Sequence, residues 1–175
     1  EQQWLLNLAR NTIKQSLSTG KAPIPDHIPE KMSQPCGCFV TLHRKHDNSL
    51  RGCIGTFDAS TPLWQTVMSM AVSSATRDPR FHQVSSDEVD ELQIEISVLS
   101  AKSPIAPEDI VIGQHGLWIE HGFRSGVLLP QVANEYKWDV ETFLQQTCLK
   151  AGMDKDMWQD KGTNLYAFTA QVFGE

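Results

Sequence analysis

What the sequence lacks narrows the possibilities before any motif is read. No run approaches the roughly 20 consecutive apolar residues that a membrane-spanning helix needs, so no membrane partner is expected. Basic charge is not in excess: 15 Lys and Arg stand against 21 Asp and Glu, for a net charge of −6. Nucleic-acid binders usually carry a basic face, so nucleic acid is disfavoured as a partner. Cysteine is sparse, with four thiols at Cys36, Cys38, Cys53 and Cys148. A chain of 175 residues with 40% hydrophobic content builds a core without disulfides. The thiols are therefore read as reduced and the compartment as cytoplasmic. The opening Glu1-Gln2-Gln3-Trp4 has neither the basic start nor the apolar stretch of a signal peptide, and no initiator Met. A P-loop, a dinucleotide fingerprint, a Gly-x-Ser-x-Gly elbow and an HExxH pair are all missing. Their absence removes the enzyme classes that a short motif would reveal, and no cofactor is named.

What is present reads as one domain over residues 1–175. Residues 2–18 place Leu5, Leu8, Ala9, Thr12, Ile13 and Leu17 on one helical face, with Gly20 as a stop. Pro23, Pro25, Pro29 and Pro35 then exclude a helix or a central strand over 21–35. Residues 37–44 and 50–57 read as a hairpin around Asp47-Asn48-Ser49. Thr61 and Pro62 are expected to open a helix buried on most of its circumference and ending near Arg77. Ser85 and Glu88 have capping-box spacing. Residues 91–100 alternate as a strand, with Leu92, Ile94, Ile96 and Val98 on one side and Gln93, Glu95, Ser97 and Leu99 on the other. A second hairpin is expected over 116–120 and 125–129, and a helical stretch from Gln131. Asp139 should cap a further helix that Gly152 stops. Residues 163–173 read as one last strand. Clustered hairpins without βαβ alternation give an α+β fold, a mostly antiparallel sheet with flanking helices.

The segment Leu50-Arg51-Gly52-Cys53-Ile54-Gly55 is the least ordinary. Glycines within a strand mark a bulge or a close approach of another backbone or ligand. Strand parity puts Arg51, Cys53 and Gly55 on one face. Two residues of strand span about 6.6 Å, which brings the Arg51 cation within range of the Cys53 sulfur. A nearby cation favours the thiolate, so Cys53 is a candidate nucleophile. The competing reading, a small packed hydrophobe, stays open. Glu95 sits on the side opposite Ile94 and Ile96; it either needs a partner, with Arg51 a candidate, or is a solvated surface acid. His115, in a loop entering a strand, is a candidate partner for the thiol. Arg80, in Asp78-Pro79-Arg80-Phe81, is a candidate anion contact or a partner for Asp78. Cys36-Gly37-Cys38 lacks the second pair that a structural zinc site uses, so no metal site is expected.

The run LRGCIGTF at 50–57 resembles the signature of the AMMECR-one domain family, whose prokaryotic members are called AmmeMemoRadiSam system protein A. The resemblance continues in order through FVTL at 39–42, DPRF at 78–81, IEISVLS at 94–100, PEDI at 107–110, HGLWI at 115–119, GVLLPQVA at 126–133 and WDVETFL at 138–144. It implies a larger and a smaller lobe, with the signature at or near a cleft between them. Carried over residue by residue, it points to Arg51, Gly52, Cys53 and Gly55, and then to Asp78, Arg80, Glu95, His115 and Gln131. Cys53, Arg51, Glu95 and His115 are the catalytic candidates; Gly52, Gly55, Asp78, Arg80 and Gln131 are the binding candidates. The expected partners are a Memo-like protein and a radical SAM protein. Three roles follow: an enzyme or enzyme component acting on a small or anionic ligand, a scaffold in that system using tryptophans such as Trp118 and Trp158, and a nucleic-acid-associated protein.

Overall fold

The computed structural model describes all 175 residues. The chain divides into two compact units. The first is Glu1–Leu99 with Gln171–Glu175, and the second is Ser100–Ala170.

In the first unit, helix α1 (Gln2–Thr19) ends on Gly20, whose left-handed φ of 73° lets its N–H bond to the Ser16 carbonyl. The proline-rich stretch that follows is irregular except for a single 3-10 turn, Glu30–Ser33, anchored by buried Met32. Strands β1 (Cys38–Arg44) and β2 (Leu50–Thr56) form the expected hairpin. Helix α2 (Leu63–Thr76) follows, then β3 (Leu92–Leu99). With the last strand, β8 (Ala170–Gly174), they build a sheet in the order β2-β1-β3-β8. One face of this sheet is apolar. Cys38, Val40, Leu42, Ile94 and Ile96 are fully buried against Leu5, Ala9 and Ile13 of α1 and Val67 and Ala71 of α2. Each buried Val, Leu or Ile among them contributes about 1.5–3 kcal/mol by leaving water.

The second unit holds β4 (Ser103–Pro104), β5 (Gly116–His121), β6 (Arg124–Leu128), α3 (Pro130–Glu135), α4 (Val140–Lys150) and β7 (Asn164–Phe168). Its sheet runs β4-β7-β5-β6, with antiparallel pairings. Asp139 caps α4 by accepting the Thr142 N–H at 2.8 Å. Phe143, Leu144, Thr147 and Cys148 turn inward as their spacing requires. This core packs around Leu117 and Ile119 of β5.

Two expectations are corrected. Residues 163–173 do not make one strand: they break at Thr169 and serve two different sheets. Ser100 holds that break, its N–H bonding to the Thr169 carbonyl and its Oγ accepting the Thr169 N–H at 2.9 Å. The pattern of β-branched and aromatic residues runs through the break, so periodicity does not mark it. Thr61 does not cap α2 either. The helix begins one residue later than expected, with Pro62 in the cap position and no side-chain cap bond; instead Thr66 Oγ1 donates to the Thr61 carbonyl at 3.3 Å.

Candidate functional site

The signature segment is shaped by α2. A Cβ on Gly52 would lie 2.2 Å from the Ser74 carbonyl oxygen, so only glycine lets the helix cross β2 this closely. Ser74 completes the contact: its Oγ accepts the Ile54 N–H at 2.9 Å and donates to the Val40 carbonyl at 2.7 Å. Gly55 leaves room for the Phe39 ring, which lies 2.2 Å from where a Cβ would stand.

Because Gly52 and Val40 face α2, alternation turns Cys53 and Thr41 to the other side of the sheet. The register sets Thr41 directly opposite Cys53 on β2 and Glu95 on β3. Cys53, Thr41 and Glu95 thus form one row across three neighbouring strands. Cross-strand neighbours of this kind have Cβ atoms about 4.5–5.5 Å apart. Within the row the Thr41 hydroxyl donates to Cys53 Sγ at 3.3 Å. All three side chains are half-buried.

The Arg51 guanidinium is bonded elsewhere than to Cys53. Leu42 pairs with Gly52 and His43 with Leu50, so Arg51 is the extra residue of a bulge. Arg51 is 5% exposed. It donates to both carboxylate oxygens of Glu88, at 2.6 and 3.0 Å, and to the His82 carbonyl at 2.9 Å. Its partner is therefore Glu88, not Glu95, and its guanidinium holds the Glu88 carboxyl below the usual range.

The cation beside Cys53 is Arg80. Asp78, just past the end of α2, is buried; its Oδ2 accepts the Cys53 N–H at 2.8 Å and Arg80 Nη2 at 2.7 Å, while its Oδ1 accepts Arg80 Nε at 3.0 Å. Arg80 Nη2 also lies 3.5 Å from the Cys53 carbonyl. The Arg80 hydrogen bonds hold the Asp78 carboxyl well below the ordinary carboxylate range. In return Asp78, aided by the attraction of Cys53, pushes the Arg80 pKa upward. The Arg80 side chain is 55% exposed, so its outer edge remains open to a ligand. Phe81 lies under both guanidinia, 6.0 Å from Arg51 and 5.5 Å from Arg80.

The other thiols differ. Cys38 is fully buried and burial pushes its pKa up to about 12. Burial also raises Cys148 and Cys36. No three His, Cys, Asp or Glu side chains gather in a way that would hold a metal ion.

His115 and Gln131 belong to the second unit. His115 Nδ1 accepts the Val111 N–H at 3.1 Å, which closes the loop that leads into β5. Gln131 is half-buried in the first turn of α3. Thr41 was not expected as a site residue. Its signal was available only through register: the strand 39–42 and the strand 50–57 had to be paired residue by residue before Thr41 fell opposite Cys53.

The AMMECR1 family model matches residues 6–173. Protein MJ0810 of Methanocaldococcus jannaschii is 44% identical over 174 residues, which cover 95% of this chain and 86% of the relative. A protein of Aquifex aeolicus is 38% identical over 177 residues, covering 98% of this chain and 91% of the relative. The crystal structure of the uncharacterized protein PH0010 from Pyrococcus horikoshii matches with a TM-score of 0.87 at 42% identity, covering 98% of this chain and 90% of that one.

Proposed function

The chain belongs to the AMMECR1 family, and from that premise we propose that it is an enzyme, or a component of one, holding a small anionic ligand beside the Cys53 thiol. The observation that carries this reading is the joint placement of a half-buried thiol, a hydroxyl bonded to its sulfur and an exposed guanidinium anchored next to it. Arg80 supplies the charge that attracts an anion. Thr41 orients the sulfur. Glu95, one strand further along the row, is placed to exchange protons with a ligand lying over Thr41. Asp78 positions both Cys53 and Arg80. Gly52 and Gly55 contribute close backbone packing, and Arg51 supports the site by fixing the bulge. A Memo-like protein and a radical SAM protein are the proposed partners.

Site-resolved alkylation with iodoacetamide, read by mass spectrometry with and without pyrophosphate as the anionic probe, tests the reading. Cys53 should be modified much faster than Cys38 and Cys148, and pyrophosphate should slow its modification in wild type but not in Arg80→Gln. A Cys53 as slow as Cys148 would remove thiol chemistry. Retention of a Memo-like or radical SAM protein on the tagged chain, unchanged by Cys53→Ser and without anion protection, would favour the scaffold reading instead.

A further inference from the structure

A second cluster lies on the sheet of the second unit, on the side opposite the buried Leu117 and Ile119. Trp118 of β5 and Tyr166 of β7 are direct cross-strand partners. The ammonium of Lys102 sits 4.0 Å from the Trp118 ring centroid and 4.6 Å from that of Tyr166. Glu120, two residues along β5 and hence on the same face, accepts Lys102 Nζ at 2.7 Å and Trp118 Nε1 at 2.6 Å through the same oxygen. Two ring faces and a carboxylate around one ammonium group are the elements by which proteins recognise alkylated ammonium ligands, because the negative ring faces attract a weakly hydrated cation.

We propose that Trp118, Tyr166 and Glu120 form a recognition site for an external alkylammonium group, closed in the free protein by Lys102 as a competing occupant. The fixed and movable parts are cleanly divided. Trp118 and Tyr166 stand on paired strands, and the indole N–H tethers Glu120. Lys102 comes from the short segment ahead of the two-residue strand β4, where Ala101, Ser103 and Pro104 are all exposed. Its side chain is 39% exposed and that of Glu120 is 32% exposed, so solvent reaches the cluster. The stem of Lys102 has four rotatable bonds and swings aside without moving the sheet. Once it leaves, two ring faces and an ionised carboxylate tethered to one of them remain, the complement of a single positive charge. The Lys102 ammonium, in turn, marks where the cation sits.

A built-in occupant lowers the apparent affinity for any other cation by the fraction of time the cage stands open. Choline is the probe and 3,3-dimethylbutan-1-ol its uncharged counterpart, each titrated into the full chain while the Trp118 indole resonance is followed by NMR. Lys102→Ala, and Lys102→Gln as a second variant that keeps most of the stem, should bind choline about tenfold or more tighter than wild type. Neither should respond to the neutral alcohol, and Trp118→Ala added to Lys102→Ala should abolish binding. A trimethyllysine peptide run in parallel separates the carriers: tighter binding than choline assigns the ammonium to a protein side chain, and equal or weaker binding assigns it to a free small molecule. The proposal is overturned if neither Lys102 variant binds choline more tightly than wild type, or if the alcohol binds as well as choline.

Discussion

Asp78 does two things with one carboxylate: it anchors the backbone of Cys53 and it aims Arg80. Its pKa is depressed in the folded protein, so it contributes stability that is fully present above the ordinary aspartate value of about 3.9 and is lost as pH falls through the folded value. Asp78→Asn should cost about 1–3 kcal/mol at neutral pH, because a buried charge-assisted network loses its charge and one of its two acceptor oxygens. The gap between wild type and variant should narrow below about pH 4. Denaturant melts at pH 7 and pH 3 check both statements; a gap that stays constant with pH would contradict them. Arg51 plays a different part. Removing it leaves Glu88 Oε1 and the His82 carbonyl without the donor they have in the native protein, so Arg51→Met should cost about 2 kcal/mol of stability by the same measurement. Which arginine lies beside Cys53 was the least legible point in the sequence. Arg51 is two positions from Cys53 and Arg80 is 27 positions away, and simple alternation favours the nearer one until the bulge at Arg51 is known.

At the level of elements, the controlling contact is α2 against the edge strand β2. The Cys53 N–H is taken by Asp78, and the Ile54 N–H by the Ser74 hydroxyl of α2, which also donates to the Val40 carbonyl of β1. Gly52 permits the approach. Gly52→Ala forces its Cβ onto a backbone oxygen that has no side-chain freedom to yield. It should destabilise by about 1–3 kcal/mol or more, seen as a lower denaturation midpoint with an unchanged slope; a variant as stable as wild type would show that the helix can back away. The elements themselves were largely readable. Gly20 and Asp139 act at helix ends as their residue types suggest, and Ser85 and Glu88 form both halves of the capping box. What periodicity could not show was register, and the Cys53–Thr41–Glu95 row exists only through register. The break at Thr169 was hidden for a related reason, since a strand that changes sheets keeps its β-forming composition on both sides.

For the whole molecule, chain order and unit membership part company at the C-terminal strand. β8 follows the second unit in sequence but completes the sheet of the first, and Glu175 extends that role: its carboxylate pairs with Arg10 of α1 and accepts the Ile94 N–H of β3. Truncation after Thr169 should therefore weaken the first unit selectively. Hydrogen exchange should show lost protection along β3, with the amides shared by β5 and β7 unchanged; equal loss in both units would contradict the division. The resemblance carried in LRGCIGTF and the ordered motifs after it pointed to the family, which the family model and the relatives support over nearly the whole chain.

The most direct measurement is the second-order alkylation rate of Cys53 at pH 7 in wild type, Arg80→Gln and Arg51→Lys, each verified as folded. If Arg80 is the cation that serves the thiol, its replacement slows the reaction several-fold while Arg51→Lys stays within about twofold of wild type. A rate that falls with Arg51→Lys and holds with Arg80→Gln would contradict that assignment.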